Sequence, residues 1–529
     1  MFLALDPRHL ASQSAQRSDT VAMQTDQAEQ DLVGTPDTEV LDEPFSPKTS
    51  ARLEGDFARL IPVNHSAKVA FNEIAQRLRL DPEWHLHGRK FIHVDPTGKE
   101  LTPFEDSEAD DEVTSKGLPI LSGHYRLNLT TLPKTPRLGW IWGSGRKDLP
   151  DGGVDLLLTS NGKRDGVLGR HGRLFHTDNG FLAVAVPEKK VIYINGQERL
   201  EGAQRVIGLP RTGLTIGNLA FRLEFTQLSA YRTQLNTLLS ERHGGHVHPS
   251  LDPTPQFHHF ELKGYVIQEP LNSGSHGVVL GGVNRETGKT VAVKRLQRTS
   301  KSLERIRLEI EIAKRVKDHP NLCHLITDMY SGGEVTWIGD GRTGDVYLVS
   351  SPLAWETFIE LTMSTKTYSI RQSAMQQALC GLAHLHSNGI MHRDLKPTNL
   401  MMVSYDPPHA IIIDYGSATF SATSDHHGVG TIAYLAPEVL AIKAGKSKVA
   451  RYDRSVDVWA MGLTGYQLFF QEECTWKNGV GPGEWEAIKT KLRRRPGILS
   501  RLLESMLAWE SDRPNAAELK DSEAWLSSN

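Results

Sequence analysis

Between residues 123 and 227 short apolar runs alternate with turn residues: YRLNL, LGWIWG, VDLLLT, RLFHT, FLAVAV, VIYING, LTIGN and FRLEF, separated by Gly, Asn, Asp and Pro. Runs this short, spaced by about 8–12 residues, predict an antiparallel sandwich or barrel. From Tyr265 the pattern is again strand-like, in YVIQEPL, HGVVLGGV and TVAVKRL. Its period then changes. Leu303, Ile306, Ile310 and Ala313 fall on one stripe, which predicts an amphipathic helix over residues 302–316. Two more strands are expected in HLITDMYSG and DVYLVSS, and beyond Trp355 the pattern is mainly helical. A small β-rich part followed by a larger α-rich part implies two lobes with a cleft between them.

The flanking segments carry less pattern. Residues 1–65 are rich in Ser, Thr, Gln, Asp and Pro, and are expected to be a disordered tail. Residues 66–121 read as a poorly defined, partly helical segment. Its one helix is expected near Ala67–Leu80, and its acidic run at 105–112 reads as a solvated loop. Residues 228–261 read as a linker, with a short helix over Ala230–Leu239 and then a Gly/His/Pro-rich stretch. His243, His246 and His248 lie in it. With no cysteine or carboxylate cluster nearby, they are expected to be exposed side chains and not metal ligands. The expected folded units are therefore 122–227 and 262–526.

Composition narrows the field. A chain of 529 residues exceeds what one core serves, so two or three domains are expected. With 60 basic and 63 acidic residues the net charge is -3, which argues against bulk electrostatic binding to nucleic acid or an anionic membrane. The apolar run Phe2–Leu5 is stopped by Asp6, too short for a signal-peptide core. No stretch reaches the roughly 20 apolar residues of a membrane span. Cys323, Cys380 and Cys474 are too sparse for a disulfide framework and read as small core residues of a reducing compartment. An intracellular protein, nuclear or cytoplasmic, is expected.

Candidate chemistry is concentrated in the C-terminal half. Asn272-Ser-Gly274-Ser-His-Gly277-Val-Val279 is a glycine-rich hairpin, whose backbone amides can approach phosphate oxygens where no Cβ stands in the way. Val291-Ala292-Val293-Lys294 puts a lysine on the strand after it. Further on come His392-Arg393-Asp394-Leu395-Lys396-Pro397-Thr398-Asn399, Asp414-Tyr415-Gly416 and Ala436-Pro437-Glu438. Phosphoryl transfer needs a cradle for phosphates, a cation on the nonreacting phosphates, hard oxygens for magnesium and a carboxylate beside the attacking hydroxyl. These motifs supply each, in one order. The segment 262–526 resembles eukaryotic serine/threonine protein kinases.

That resemblance implies roles. Lys294 would neutralise the α- and β-phosphates of ATP, held by Glu309. Glu311 and Glu304 are alternative partners, less favoured because Ile310, Ile312 and His319-Pro320-Asn321 keep the family register around Glu309. Asp394 would orient the substrate hydroxyl, Lys396 would meet the γ-phosphate, and Asn399 and Asp414 would ligate Mg2+. The nucleotide site would comprise Asn272, Gly274, Gly277, Val279, Ala292, Lys294, Leu353 and Met401. Asn272 stands where the first glycine is usual; asparagine tolerates positive φ better than most residues, so the change is expected to loosen the fit without abolishing it. Ser350 is expected to be a small gatekeeper before a Ser351–Leu353 hinge, a register one residue off being the alternative. Lys396 and Thr431 point to serine/threonine specificity, with Thr431 aligning Asp394. Arg393 would meet a phosphate on Ser417, Thr419, Ser421, Thr423 or Ser424. Asp457 and Arg513 match structural anchors of the large lobe.

The sandwich region resembles a forkhead-associated (FHA) domain, which reads phosphothreonine through its loops. The resemblance rests on Gly145-Arg146, Val154–Leu158, Gly169-Arg170-His171-Gly172, Ile194-Asn195-Gly196 and Thr215-Ile216-Gly217. Leu168 stands where a serine is usual, and Lys190 where an asparagine is usual. Arg146, Arg170 and His171 remain as phosphopeptide residues, with His171 also readable as a loop buttress. An all-β FHA-like sandwich joined to a bilobal α+β kinase is the architecture of FHA-containing checkpoint kinases. The tail, with only Ser12-Gln13, lacks their Ser/Thr-Gln clusters. The expected protein is an ATP- and Mg2+-dependent kinase acting on protein substrates, with phosphothreonine proteins as further partners and neither nucleic acid nor membrane. The alternatives are a pseudokinase and a phosphopeptide-binding scaffold.

Overall fold

The computed structural model describes residues 56–101, 119–226, 232–330 and 344–526, apart from 246, 275–276, 317, 448–449, 473–474 and 496. The expected tail up to residue 55, the acidic run at 105–112, His246 and Cys474 lie outside these residues.

The N-terminal region is a β-sandwich. One sheet has seven strands in the order β2-β3-β1-β12-β11-β8-β9. They are β1 (Asp56–Pro62), β2 (Ile92–Leu101), β3 (Pro119–Asn128), β8 (Val191–Ile194), β9 (Glu198–Glu201), β11 (Arg211–Ile216) and β12 (Leu219–Phe225). The facing sheet runs β10-β7-β6-β4-β5, with β4 (Trp140–Gly143), β5 (Leu156–Leu157), β6 (Gly172–His176), β7 (Leu182–Ala185) and β10 (Gln204–Val206). Phe57, Tyr125, Trp142, Leu174, Ile216 and Phe221 fill the space between them.

The sandwich starts earlier than the apolar pattern predicts. β1, inside the stretch expected to be tail, pairs antiparallel with both β3 and β12. Helix α1 (His65–Leu80) follows at once. The Asn64 side chain accepts from the Ala67 amide at 3.0 Å, and Ala67, Ala70, Phe71, Ile74 and Leu78 form its buried stripe. The segment expected to be poorly defined thus supplies this helix and β2. A single helical turn, α2 (Gly162–Asp165), precedes the loop to β6. Helix α3 (Arg232–His243) then sends Leu235 and Leu239 into the sandwich core.

The C-terminal region opens with a six-stranded sheet, β13-β14-β15-β16-β18-β17. Its strands are β13 (Phe260–Leu262), β14 (Tyr265–Gly274), β15 (Gly277–Asn284), β16 (Thr290–Arg298), β17 (His324–Tyr330) and β18 (Gly344–Ser351). Helix α4 (Leu303–Arg315) packs against it through Ile306, Ile310, Ile312 and Ala313, within one residue of the predicted limits. The larger lobe is helical. It contains α5 (Phe358–Met363), α6 (Tyr368–Ser387), α7 (Pro437–Lys443) and α8 (Ser455–Phe470), the last buried along almost its whole length around Trp459 and Tyr466. Among the described residues no helix is long and apolar enough to cross a membrane.

Candidate active site

The glycine-rich hairpin joins β14 to β15, with Gly274 opposite Gly277 and Asn272 opposite Val279. Gly277 has φ 117°, and a Cβ there would stand 2.4 Å from the Arg295 carbonyl oxygen, so glycine is required. Asn272 is exposed, lies in the extended strand and is absent from the positive-φ residues, so its tolerance of positive φ is not drawn on. An extended strand accepts any side chain that solvent accepts.

Register sets the nucleotide pocket. On β16, Ala292 and Lys294 alternate with the buried Val291 and Val293, so both face the cleft. Ala292 pairs with Ser350 and Lys294 with Leu348 on β18. This pairing sets Ser350 beside Ala292, and the chain then leads to Leu353, which is buried. Val279 and Met401 are half-buried on strands bordering the same cleft. Cys323 is hydrogen-bonded with Ser350 and lies within the field of Lys294; burial pushes its thiol up to about 12. The carbonyl of Cys323 accepts from the Tyr415 hydroxyl at 2.9 Å.

The charged groups form two connected sets. Lys294 Nζ donates to Glu309 Oε1 at 2.5 Å and to Asp414 Oδ1 at 2.8 Å. Burial disfavours the ammonium, but the two carboxylates outweigh it and raise its pKa. Glu309 is the partner, and Glu304 and Glu311 are not. In the second set, Asp394 Oδ1 accepts from the Thr431 amide at 2.8 Å and from its hydroxyl at 2.7 Å. Lys396 Nζ bridges Asp394 Oδ2 at 3.0 Å and Thr431 Oγ1 at 2.7 Å. Asn399 donates Nδ2 to the Asp394 carbonyl at 2.7 Å, which leaves its amide oxygen as the face presented to a ligand. That oxygen and the carboxylate of Asp414 are hard donors, a fit for magnesium.

The backbone at this site is held in an uncommon shape. Arg393 and Asp414 have φ of 66° and 64°, which non-glycine residues seldom adopt. Asp457 on α8 holds the first of these bends: it accepts from the His392 amide at 2.8 Å, the Arg393 amide at 2.8 Å and the His386 ring at 3.0 Å. Arg393 Nε donates to the Ser417 carbonyl at 2.7 Å and its Nη1 to Ser424 Oγ at 3.2 Å. Of the five hydroxyls proposed for modification, Ser424 is the one hydrogen-bonded to Arg393.

These elements, in this order, coincide with a family match. Residues 265–522 match the model of the protein kinase domain. Residues 265–522 are a protein kinase domain. Similar proteins include a probable myosin light chain kinase of Dictyostelium discoideum, 28% identical over 208 residues, 39% of this chain and 61% of that protein. Serine/threonine-protein kinase D2 of Rattus norvegicus is 32% identical over 204 residues, 37% of this chain and 22% of that protein. Calcium-dependent protein kinase 5 of Plasmodium berghei is 33% identical over 204 residues, again 37% of this chain and 33% of that protein. The chain therefore spans less than two thirds of the length of these relatives. The solved structure of Rad53 1–466 in complex with AMP-PNP covers 73% of this chain and 91% of its own, with a TM-score of 0.47 and 19% identity.

Outside the kinase domain, the sandwich loops place the other expected residues. Arg146 pairs with Asp148 at 2.6 Å. Arg170 donates Nε to the Gly153 carbonyl at 2.9 Å, and its own carbonyl accepts from Lys190 Nζ. His171 lies between the Leu168 amide at 3.1 Å and the Val191 carbonyl at 3.1 Å, stacked on Trp142. Burial lowers its pKa. This is the buttress geometry, with both ring nitrogens occupied by backbone.

Proposed function

We propose that the chain is an ATP-dependent serine/threonine protein kinase that transfers the γ-phosphate to protein hydroxyls. The observation that supports this reading is a pair of hydrogen-bonded sets, Lys294 with Glu309 and Asp414, and Asp394 with Lys396, Asn399 and Thr431, linked where the Ile413 amide donates to the Asn399 carbonyl at 3.0 Å. Lys294, fixed by Glu309, neutralises the nonreacting phosphates. Asp394, fixed by Thr431, accepts the hydrogen bond of the substrate hydroxyl and points its oxygen at the phosphorus. Lys396 meets the charge that builds on the transferred group. Asn399 and Asp414 would hold magnesium, which supplies positive charge between the phosphates when bound. Lys396 bridging to Thr431 supports serine/threonine over tyrosine specificity.

The kinase reading is tested with purified full-length protein, ATP, magnesium and a peptide library. Asp394→Asn is expected to lower kcat by about 10²–10⁴-fold with nucleotide binding retained. Equal, background-level transfer by wild type and variant favours the pseudokinase alternative.

The sandwich reads as an FHA-like targeting module. Arg146, Arg170 and Lys190 supply positive charge for a phosphate. The Arg146–Asp148 pair and the hydrophobic Leu168 weigh against tight threonine-specific recognition. Titration with phosphothreonine and unphosphorylated peptides distinguishes a reader from a scaffold.

A further inference from the structure

The segment read as a linker packs into both folded parts. Val247 is buried in the sandwich core. One turn later Leu251, 1% exposed, enters a different cluster that includes Phe181, Ala183 and Val206 of the sandwich with Val283 and Leu353 of the kinase domain. Ala292 packs against this cluster.

The fit at Leu251 depends on a missing side chain. Gly281 pairs with Ala292 in the β15–β16 register, so the two share a face of the sheet. A Cβ on Gly281 would stand 2.3 Å from Leu251 Cδ2. Leu251 therefore fills, from outside the domain, the space a β15 side chain would take beside the base pocket. The turn that presents it is built by hydrogen bonds from Leu251 N to the His248 carbonyl at 3.1 Å and from Ser250 N to His248 Nδ1 at 3.2 Å. The His248 ring faces the hinge backbone at Leu353.

We propose that Leu251 is a positioning residue for the nucleotide base: through it the sandwich and linker set the shape of the pocket at Ala292 and Leu353. Affinity for ATP then depends on a residue outside the catalytic domain. The charged sets at Lys294 and Asp394 are not in this cluster, so the transfer step is left alone.

The inference rests on the kinase reading, and the test separates the two. Full-length protein is titrated with a fluorescent ATP analogue and magnesium, and steady-state rates are measured in parallel. Leu251→Ala is expected to raise Kd and the KM for ATP on the order of tenfold, with kcat within about twofold, because truncation leaves a cavity behind the base pocket. Leu251→Met, which refills the volume, is expected to keep wild-type affinity. If wild type binds no nucleotide, the kinase reading fails. If wild type binds and Leu251→Ala binds equally well, or loses kcat without a change in KM, this proposal fails. Should Leu251→Ala not fold, Leu251→Val serves in its place: weaker binding supports the proposal and unchanged binding overturns it.

Discussion

At the scale of single residues, charge placed in the interior must be answered by geometry. Asp457 is the clearest case. Burial pushes its pKa up, but hydrogen bonds from His386 and the His392 amide, with the charges of His386 and His392, outweigh burial and hold it below the usual carboxylate value. A depressed folded pKa contributes stability that is present above the unfolded value, near 3.9, and is lost as pH falls through the folded one. Asp457→Asn is expected to cost about 1–3 kcal/mol at neutral pH. Its stability should also fall less than wild type between neutral and acidic pH, as urea unfolding at a series of pH values will report. Asp457 was legible in the sequence because the stretch VDVWAMG resembles a structural anchor of the kinase family. The extended backbone at Asn272 was not, because it is set by pairing with Val279 across the hairpin.

Elements are held by pairs that bridge distant stretches of chain. Arg513 reaches from the end of the large lobe to Glu438 on α7, at 2.5 and 2.8 Å, and donates Nε to the Ala508 carbonyl. Its side chain is fully buried. Removing one partner of such a pair leaves an uncompensated charge, so Arg513→Ala is expected to destabilise by about 3–5 kcal/mol, read as a lower thermal midpoint. Helix α4 was readable because it is amphipathic over several turns, and strands β14 to β18 were readable from their short apolar runs. Strand β1 escaped because its partners lie far off in the chain, and β9 and β10 because their apolar positions are few. β1 is made a strand by β3 and β12, neither of which its own residues reveal.

Across the whole molecule, the sandwich and the small lobe share a boundary made of backbone as well as side chains. The Val206 amide donates to the Arg285 carbonyl at 2.7 Å, and Gln204 Nε2 to the Glu286 carbonyl at 2.8 Å. Arg285 pairs with Glu198 at 3.0 Å and with Glu261 at 3.1 Å, its side chain mostly buried. Arg285→Ala is expected to loosen this boundary, speeding amide exchange over residues 204–206 while the β6–β7 pairing keeps its protection. Composition hid the boundary. A Gly/His/Pro-rich stretch looks like a tether, and Val247 and Leu251 are isolated apolar residues with no period to mark them. His248 was expected to be exposed, yet it is half-buried against the hinge.

The grip on the Asn284–Gly288 turn has a mechanical corollary. Asn179 Nδ2 also donates there, to the Gly288 carbonyl at 3.2 Å, and these bonds attach the sandwich to the lobe that carries the glycine-rich hairpin. A displacement of that lobe would therefore carry the sandwich along as one piece, and would not stretch a tether between them.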